Sequence, residues 1–279
     1  MPKKKQKKQK IPNQYEKPDY RIYPVRKQEE FAKIDKELPP NLESLLNKNG
    51  GCLALFGSPG SGKSNMLSNL LLSDSLLKDV FHGGLYIVSP TIENDLTSHF
   101  LKEYADMVET QYSDALMEGI FNNIMSIDKE ERELSCVVLD DCLGSIKQNS
   151  FMLRFTSTVR HLKNLLVYSL QSMKGLPPTV RSNISATVVF YQPSIKQLND
   201  IVELHSLMGG EDNFKACYEE ATSKKYQFLW ADFREMKLYK WGGEIDEPEE
   251  LWSMYDENGD RTAGNFISKK PEQIQEKTD

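Results

Sequence analysis

Eight consecutive residues, Gly57, Ser58, Pro59, Gly60, Ser61, Gly62, Lys63 and Ser64, match the spacing G-x-x-x-x-G-K-[ST] in full. The chemistry open to such a run is phosphate binding. Glycines admit positive φ and let the backbone approach an anion closely. Successive N–H groups and the start of a following helix then make an anion cradle. Lys63 would reach the β- and γ-phosphates of a nucleotide, and Ser64 would supply an oxygen to Mg2+. A second candidate is the apolar run Cys136-Val137-Val138-Leu139, which ends in Asp140 and Asp141. One acid at such a strand end can hold a divalent ion and the other can polarise an attacking water. Asp140 is assigned the metal and Asp141 the water, with swapped roles as the alternative. Gln171 directly follows the apolar stretch 165–170. If that stretch is a parallel strand beside the Asp140 strand, the Gln171 amide stands near the γ-phosphate, where it could sense phosphate or orient water. A plain polar loop residue is the equal alternative. Charge on a transferring phosphate also calls for arginine. Arg154, Arg160 and Arg181 lie near these strands in sequence. Arg181 is the first candidate and Arg160 the second, as a ring ATPase usually receives such an arginine from the neighbouring subunit; for either one taken singly, a surface or structural role is the commoner reading.

These side chains need a scaffold, and the hydrophobic pattern supplies one. Residues 51–56 (GCLALF), 85–88 (LYIV), 136–139 (CVVL), 165–170 and 186–191 (ATVVFY) read as buried strands. Helical spacing follows the glycine loop over 65–72, and helices are predicted over 95–108, 113–127, 151–163, 194–207 and 213–224. Short helices around Pro39-Pro40 are expected to cover an edge of the core. Residues 226–231 and 236–241 flank Asp-Phe-Arg-Glu and read as a hairpin, whose aromatics are expected in the core rather than on a base-stacking surface. Apolar strands alternating with helices predict an α/β fold with a mainly parallel sheet covered on both faces.

The chain of 279 residues has a net charge of −6, a mean hydropathy of −0.55 and 39% hydrophobic residues. Charge is unevenly placed: residues 1–27 carry ten Lys/Arg against two acids, and residues 244–279 carry four against eleven. The division expected is a basic disordered arm over 1–26, a P-loop domain over 27–243 and an acidic, partly disordered tail over 244–279, with a turn at Asn258-Gly259. The arm holds six lysines between Lys3 and Lys10, which suit DNA phosphate contact, nuclear import or simple solubility. No apolar run approaches the roughly 20 residues of a membrane helix, and no secretory signal is read at the N-terminus. Cys52, Cys136, Cys142 and Cys217 lack paired metal-ligand spacing, and Cys52 and Cys136 fall in apolar runs. His82, His99, His161 and His205 are scattered and are read as structural or surface residues.

Three segments together, LFGSPGSGKS (55–64), CVVLDD (136–141) and VYSLQSMKGLPPTVRSNIS (167–185), resemble the genome-packaging ATPases of nucleocytoplasmic large DNA viruses. These form the poxvirus-type branch of the FtsK–HerA superfamily, and the resemblance covers roughly residues 45–240. The third segment is the most discriminating, with Gln171, then Leu176-Pro177-Pro178, then Arg181 and Asn183 before another strand. The resemblance implies a core of the additional-strand type, ring oligomers and ATP-driven translocation of double-stranded DNA into a capsid. It implies Lys63 and Ser64 as nucleotide and Mg2+ ligands, Asp140 and Asp141 as the Walker B pair, and Gln171 as sensor. It places the protein in the infected-cell cytoplasm or viral assembly sites, or in virions, with capsid or vertex proteins as partners. Two departures stand out: Asp141 occupies a position where many relatives in the wider superfamily carry Glu, and no nuclease or winged-helix segment is recognisable. Two other classes share the loop. A nucleotide-controlled scaffold or capsid-vertex protein would hydrolyse slowly, and a small-molecule kinase would want an arginine-rich lid that the sequence lacks. A GTPase would want Asn-Lys-x-Asp, which is absent from the sequence.

Overall fold

Proline and glycine punctuate the chain, and the elements between them follow their hydrophobic period. The computed structural model describes residues 34–95, 99–142, 146–147 and 150–262. The lysine arm over 1–26 and the chain end over 263–279 lie outside the described residues. Pro40 enters at the first helical position, where its missing N–H costs nothing, and opens α1 (Pro40–Leu46). The elements then run β1 (Gly50–Phe56), α2 (Lys63–Leu72), β2 (Leu85–Val88), β3 (Met107–Glu109), α3 (Asp114–Met125) and β4 (Ser135–Asp140). They continue with α4 (Met152–Thr158), β5 (Asn164–Leu170), α5 (Pro178–Arg181), β6 (Ala186–Phe190), α6 (Ile195–Leu204) and α7 (Glu211–Ala221). Three strands close the chain: β7 (Gln227–Asp232), β8 (Lys237–Gly242) and β9 (Ile245–Ser253).

Among the described residues nine strands form one sheet in the order β3-β2-β4-β5-β1-β6-β7-β8-β9. Pairs from β3 through β6 are parallel, and β6 through β9 pair antiparallel. The expected additional strand is β5, which lies between the strand leading into the glycine loop and the strand ending in Asp140. Alternate residues of each strand serve opposite faces. Cys52, Ala54 and Phe56 join a core with Met117, Phe121, Phe155 and Phe214 from α3, α4 and α7. Leu53 and Leu55 join the other core, with Leu42 and Leu45 of α1 and Leu67 and Leu70 of α2. Both faces are thus covered, which is why these strands read as continuous apolar runs.

Three expectations are corrected. The helix expected over 95–108 is absent from the described part of that stretch, since 96–98 lie outside the described residues: a 3-10 turn spans His99–Glu103 and Met107–Glu109 adds an edge strand. Pairing overrides local propensity there, because Asp106 both donates its N–H to Leu85 O (2.9 Å) and accepts from Leu85 N through its carboxylate (2.7 Å). The helix expected over 151–163 ends at Thr158, and Lys163 turns the chain with φ +51 before β5. The acidic segment after 243 begins as β9, which pairs with β8 and buries Leu251 and Trp252. The acidic run 246–250 hid a strand whose buried residues, Leu251 and Trp252, come only at its end. The turn at Asn258-Gly259 is present, with Gly259 at φ +80 and its N–H donated to Asp256 O (3.0 Å). In the hairpin Phe228, Trp230, Tyr239 and Trp241 are buried, as expected, and all four cysteines are free and buried.

His205 shows how fully this core is dehydrated. It has no exposed surface and lies between the rings of Phe214 (4.4 Å) and Phe233 (5.0 Å). Ile201 O, 2.6 Å from Nδ1, can only accept, so Nδ1 carries the proton and Nε2 accepts from the Thr187 hydroxyl (2.6 Å). Burial pushes the imidazole down to about 4. The unfolded chain therefore takes up a proton near pH 6.5 that the folded chain refuses, and stability present above that pH falls as pH drops towards 4. In urea titrations between pH 6.5 and 5, the wild type should lose about 2 kcal/mol more than His205→Phe. Equal losses in both would show that another group carries the dependence.

Candidate active site

The seven residues of β1 are all buried, and the chain leaves the sheet at Gly57, whose N–H donates to Leu170 O at the end of β5 (3.2 Å). A Cβ at Gly57 would collide with Ser61 Oγ, and Gly60 and Gly62 sit at φ +75 and +109. Glycine is required at the last two because a side chain resists the left-handed region. The loop closes through Ser61 N–H to Ser58 O (3.2 Å). Gly62 offers α2 no side-chain cap, so the N–H groups of the helix start point out unsatisfied. Ser61 Oγ is buried without a hydrogen-bond partner. A bare helix start and an orphaned hydroxyl fit an anion that would accept from both.

Lys63 is 8% exposed, and its ammonium donates to Gly57 O (2.7 Å) and Ser58 O (3.2 Å). Burial pushes its pKa down, and the charges of Asp141 and Asp140 push back. The cation thus rests on loop carbonyls, facing two carboxylates across the sheet edge.

Asp140 is the last residue of β4 and stands opposite Ser169 of β5. Ser89, just past β2, donates its hydroxyl to Asp140 Oδ2 (3.0 Å). Burial pushes the Asp140 carboxyl up; the Ser169 and Ser89 hydroxyls oppose this, and the charges of Asp141 and Asp95 add to it. Asp141 takes φ +48, a left-handed conformation that costs on the order of 1–3 kcal/mol and persists only where surroundings enforce it. Its N–H is held by Ser169 O (3.2 Å). Gln171 Nε2 lies 3.3 Å from Asp141 Oδ1 and 3.5 Å from Oδ2. The backbone carbonyl of Gln171 accepts in turn from Gln197 Nε2 on α6 (3.4 Å).

The fold therefore brings the glycine loop, Lys63, Ser64, Asp140, Asp141 and Gln171 to one edge, at the carboxyl ends of neighbouring parallel strands. That is where open α/β sheets bind ligands. Arg160 and Arg181 are not brought there. Arg160 precedes β5, whose first residue pairs with Gly50, and Arg181 precedes β6, whose first residue pairs with Leu53. Both lie at the amino ends of the strands, across the sheet from the loop. Arg154 stacks on Phe121, 4.9 Å from the ring centroid.

Ser89 and Gln197 belong to the network and were not foreseen. Ser89 was accessible in principle, since it directly follows an apolar strand that neighbours the Asp140 strand. Gln197 on α6 carried no signal. Among the described residues, no group of three or more His, Cys, Asp or Glu could by itself hold a metal ion. A divalent ion here would lean on Asp140, Ser64 and ligand phosphates, the arrangement Mg2+ commonly takes.

A family model described as "Poxvirus A32 protein" matches residues 41–228. "Uncharacterized protein 075L" of Invertebrate iridescent virus 6 is 21% identical over 198 residues, which is 69% of this chain and 74% of that protein. Among solved structures, B204, the DNA-packaging ATPase from Sulfolobus Turreted Icosahedral Virus, superposes with a TM-score of 0.50. It is 17% identical, and the match covers 67% of this chain and 95% of that one. The genome packaging NTPase B204 from Sulfolobus turreted icosahedral virus 2, in complex with sulfate, gives a TM-score of 0.51 at 17% identity. That match covers 68% of this chain and 95% of the other. At such identities the likeness establishes a shared fold.

The buried Asp140 carboxylate has a consequence for stability. Its folded pKa lies above its unfolded one, so its contribution is full below the unfolded value and is lost as pH rises through the folded value. Towards neutral pH, burial of this carboxyl therefore weighs against the ligand-free fold. Asp140→Asn should therefore raise the melting temperature of the ligand-free protein at pH 7 by about 2–4 °C for each kcal/mol relieved. A lowered melting temperature would show that the carboxylate is a net stabiliser.

Proposed function

This chain belongs to the poxvirus A32 protein family, and on that premise we propose that it is an ATP-hydrolysing motor that drives double-stranded viral DNA into a capsid. The observation that carries the proposal is the insertion of β5 between β1 and β4. It sets Gln171 between the phosphate cradle and the Asp140-Asp141 pair, so a triphosphate held at Gly57, Ser58, Pro59, Gly60, Ser61, Gly62, Lys63 and Ser64 would turn its γ end towards two carboxylates.

In this reading Lys63 exchanges its loop carbonyls for the β- and γ-phosphate oxygens, and the N–H groups of the loop and of the α2 start hold the rest of the chain of phosphates. Asp140 and Ser64 would hold Mg2+, which when bound neutralises charge on the β- and γ-oxygens. Asp141 accepts a proton from, or orients, the attacking water. Gln171 steadies Asp141 through its amide and relays the state of the γ-phosphate to α6 through Gln197. Asp at 141 is shorter than the Glu common in the wider superfamily. Gln171 at 3.3 Å supplies an orienting contact for the shorter side chain.

A cation is still required for charge developing on the transferred phosphoryl group. Arg181 is the first choice and Arg160 the second. Since both stand at the far ends of the strands, either would act on the site of a neighbouring subunit, which calls for a homo-oligomeric ring. The Arg181 Nε is buried with no hydrogen-bond partner. Capsid or vertex proteins complete the partners proposed, and the place of action is the infected-cell cytoplasm at sites of assembly, or the virion. No helix among the described residues is long and apolar enough to cross a membrane.

Purified full-length protein should hydrolyse ATP in the presence of Mg2+, with a rate raised several-fold by linear double-stranded DNA. Lys63→Ala should abolish both basal and stimulated turnover. Turnover that is indifferent to DNA over a range of salt concentrations would contradict the motor and favour a nucleotide-controlled scaffold or a small-molecule kinase.

A further inference from the structure

The sheet order gives a bound nucleotide a direction. Asp140 and Asp141 end β4, on one side of the loop strand β1, and β6 and β7 lie on the other. A triphosphate whose γ end faces the carboxylates must send its nucleoside end past the first turn of α2 towards β6 and β7. There the structure holds a cavity of about 410 Å3, within the range of small-molecule sites. It is lined by Gly62 and Asn65 of the loop and helix start, by Asn69 one turn on, and by the aromatics Phe190, Tyr226, Phe228 and Trp241.

The aromatics divide into two kinds. Phe190, Phe228 and Trp241 are buried and packed on one another, with centroids 5.2 and 5.9 Å apart, and form an apolar floor. Tyr226 differs, because it is 48% exposed although it lies against the P-loop. Its backbone is held at φ +66, a conformation uncommon for a residue with a Cβ. Its ring edge stands so near Gly62 that a Cβ there would be 3.2 Å from Tyr226 Cδ1. Lys225 Nζ lies over one face of the ring, 4.7 Å from its centroid, and nearly half of the residue's surface remains exposed. On the rim, Asn69 commits Nδ2 to Asn65 O (2.8 Å), so its carbonyl oxygen remains an acceptor suited to an exocyclic amine.

We propose that this cavity is the base-binding site of the nucleotide held by the P-loop, with Tyr226 as the stacking surface and Asn69 as the polar contact. The proposal rests on the P-loop reading and adds to it the residues that recognise the nucleoside. The site explains why a hairpin residue, remote in sequence from the loop, is held in a strained conformation with an exposed ring. It also makes a nucleoside triphosphate, rather than any polyphosphate, the preferred ligand.

The test compares ATP with inorganic tripolyphosphate, measured by calorimetry on the full-length chain. Wild-type protein should bind ATP more tightly than tripolyphosphate. Tyr226→Ala should weaken ATP about 5- to 100-fold, the range of base–aromatic stacking, and leave tripolyphosphate unchanged. Alanine carries a Cβ as tyrosine does, so the backbone strain is the same in both, and retained tripolyphosphate binding reports an intact loop. Tyr226→Phe should bind ATP as the wild type does. Unchanged ATP affinity in Tyr226→Ala, or an equal loss for both ligands, would overturn the assignment. So would a loss confined to Phe100→Ala, since Phe100 lines the groove on the other flank of α2 with Asn65 and Asn69. Wild-type protein that binds neither ligand would instead defeat the P-loop reading itself.

Discussion

The parallel hydrogen-bond register across β1, β5 and β4 is the constraint from which the rest of the site follows. Phe56 pairs with Leu170, and Asp140 with Ser169, so the three strands end within a residue of one another. Each departing chain is then pinned by the neighbouring strand: Gly57 N–H by Leu170 O, and Asp141 N–H by Ser169 O. A slip of one residue would turn every strand side chain to the opposite face and separate Lys63 from the carboxylates. The buried apolar residues on both faces prevent that slip, since each face is filled from its own set of helices. The core therefore acts on the chemistry by fixing where three loops begin.

The polar edge built on this frame is unfavourable until a ligand arrives. Lys63 is nearly buried and pushed towards neutrality, and Asp140 is pushed towards protonation. A helix start stands without a side-chain cap, Ser61 Oγ has no partner, and Asp141 is held left-handed. Each of these defects would be relieved by a phosphate chain with a divalent ion. Local departures from stable design of this kind concentrate at functional sites. Their convergence within a few residues of one strand edge is a stronger sign than any one of them.

Much of this was legible in the sequence, because the informative residues are local. The glycine loop, its flanking strand and helix, and the Asp-Asp strand end are contiguous motifs, and alternation of apolar runs with helices gave the parallel sheet. What stayed hidden depends on pairing between distant segments. The edge strand at Met107–Glu109 forms because β2 offers it hydrogen bonds, and β9 forms because β8 does the same for an acidic stretch. Tyr226 gave no signal as a site residue: its place beside Gly62 arises from the return of β7 against β6. Arg160 and Arg181 are near the right strands in sequence, but the strand register sets them at the opposite ends.

In the proposed motor, β5 makes the glycine loop and the Asp140-Asp141 pair into one hydrolytic site through Gln171. The most direct measurement is the ATP affinity and the turnover at saturating ATP of Gln171→Ala. Affinity should stay close to that of the wild type and turnover should fall about 100-fold or more, the size typical of losing one preorganised contact to the reacting groups. Turnover equal to that of the wild type would contradict this role, and would leave Gln171 a polar residue in a loop.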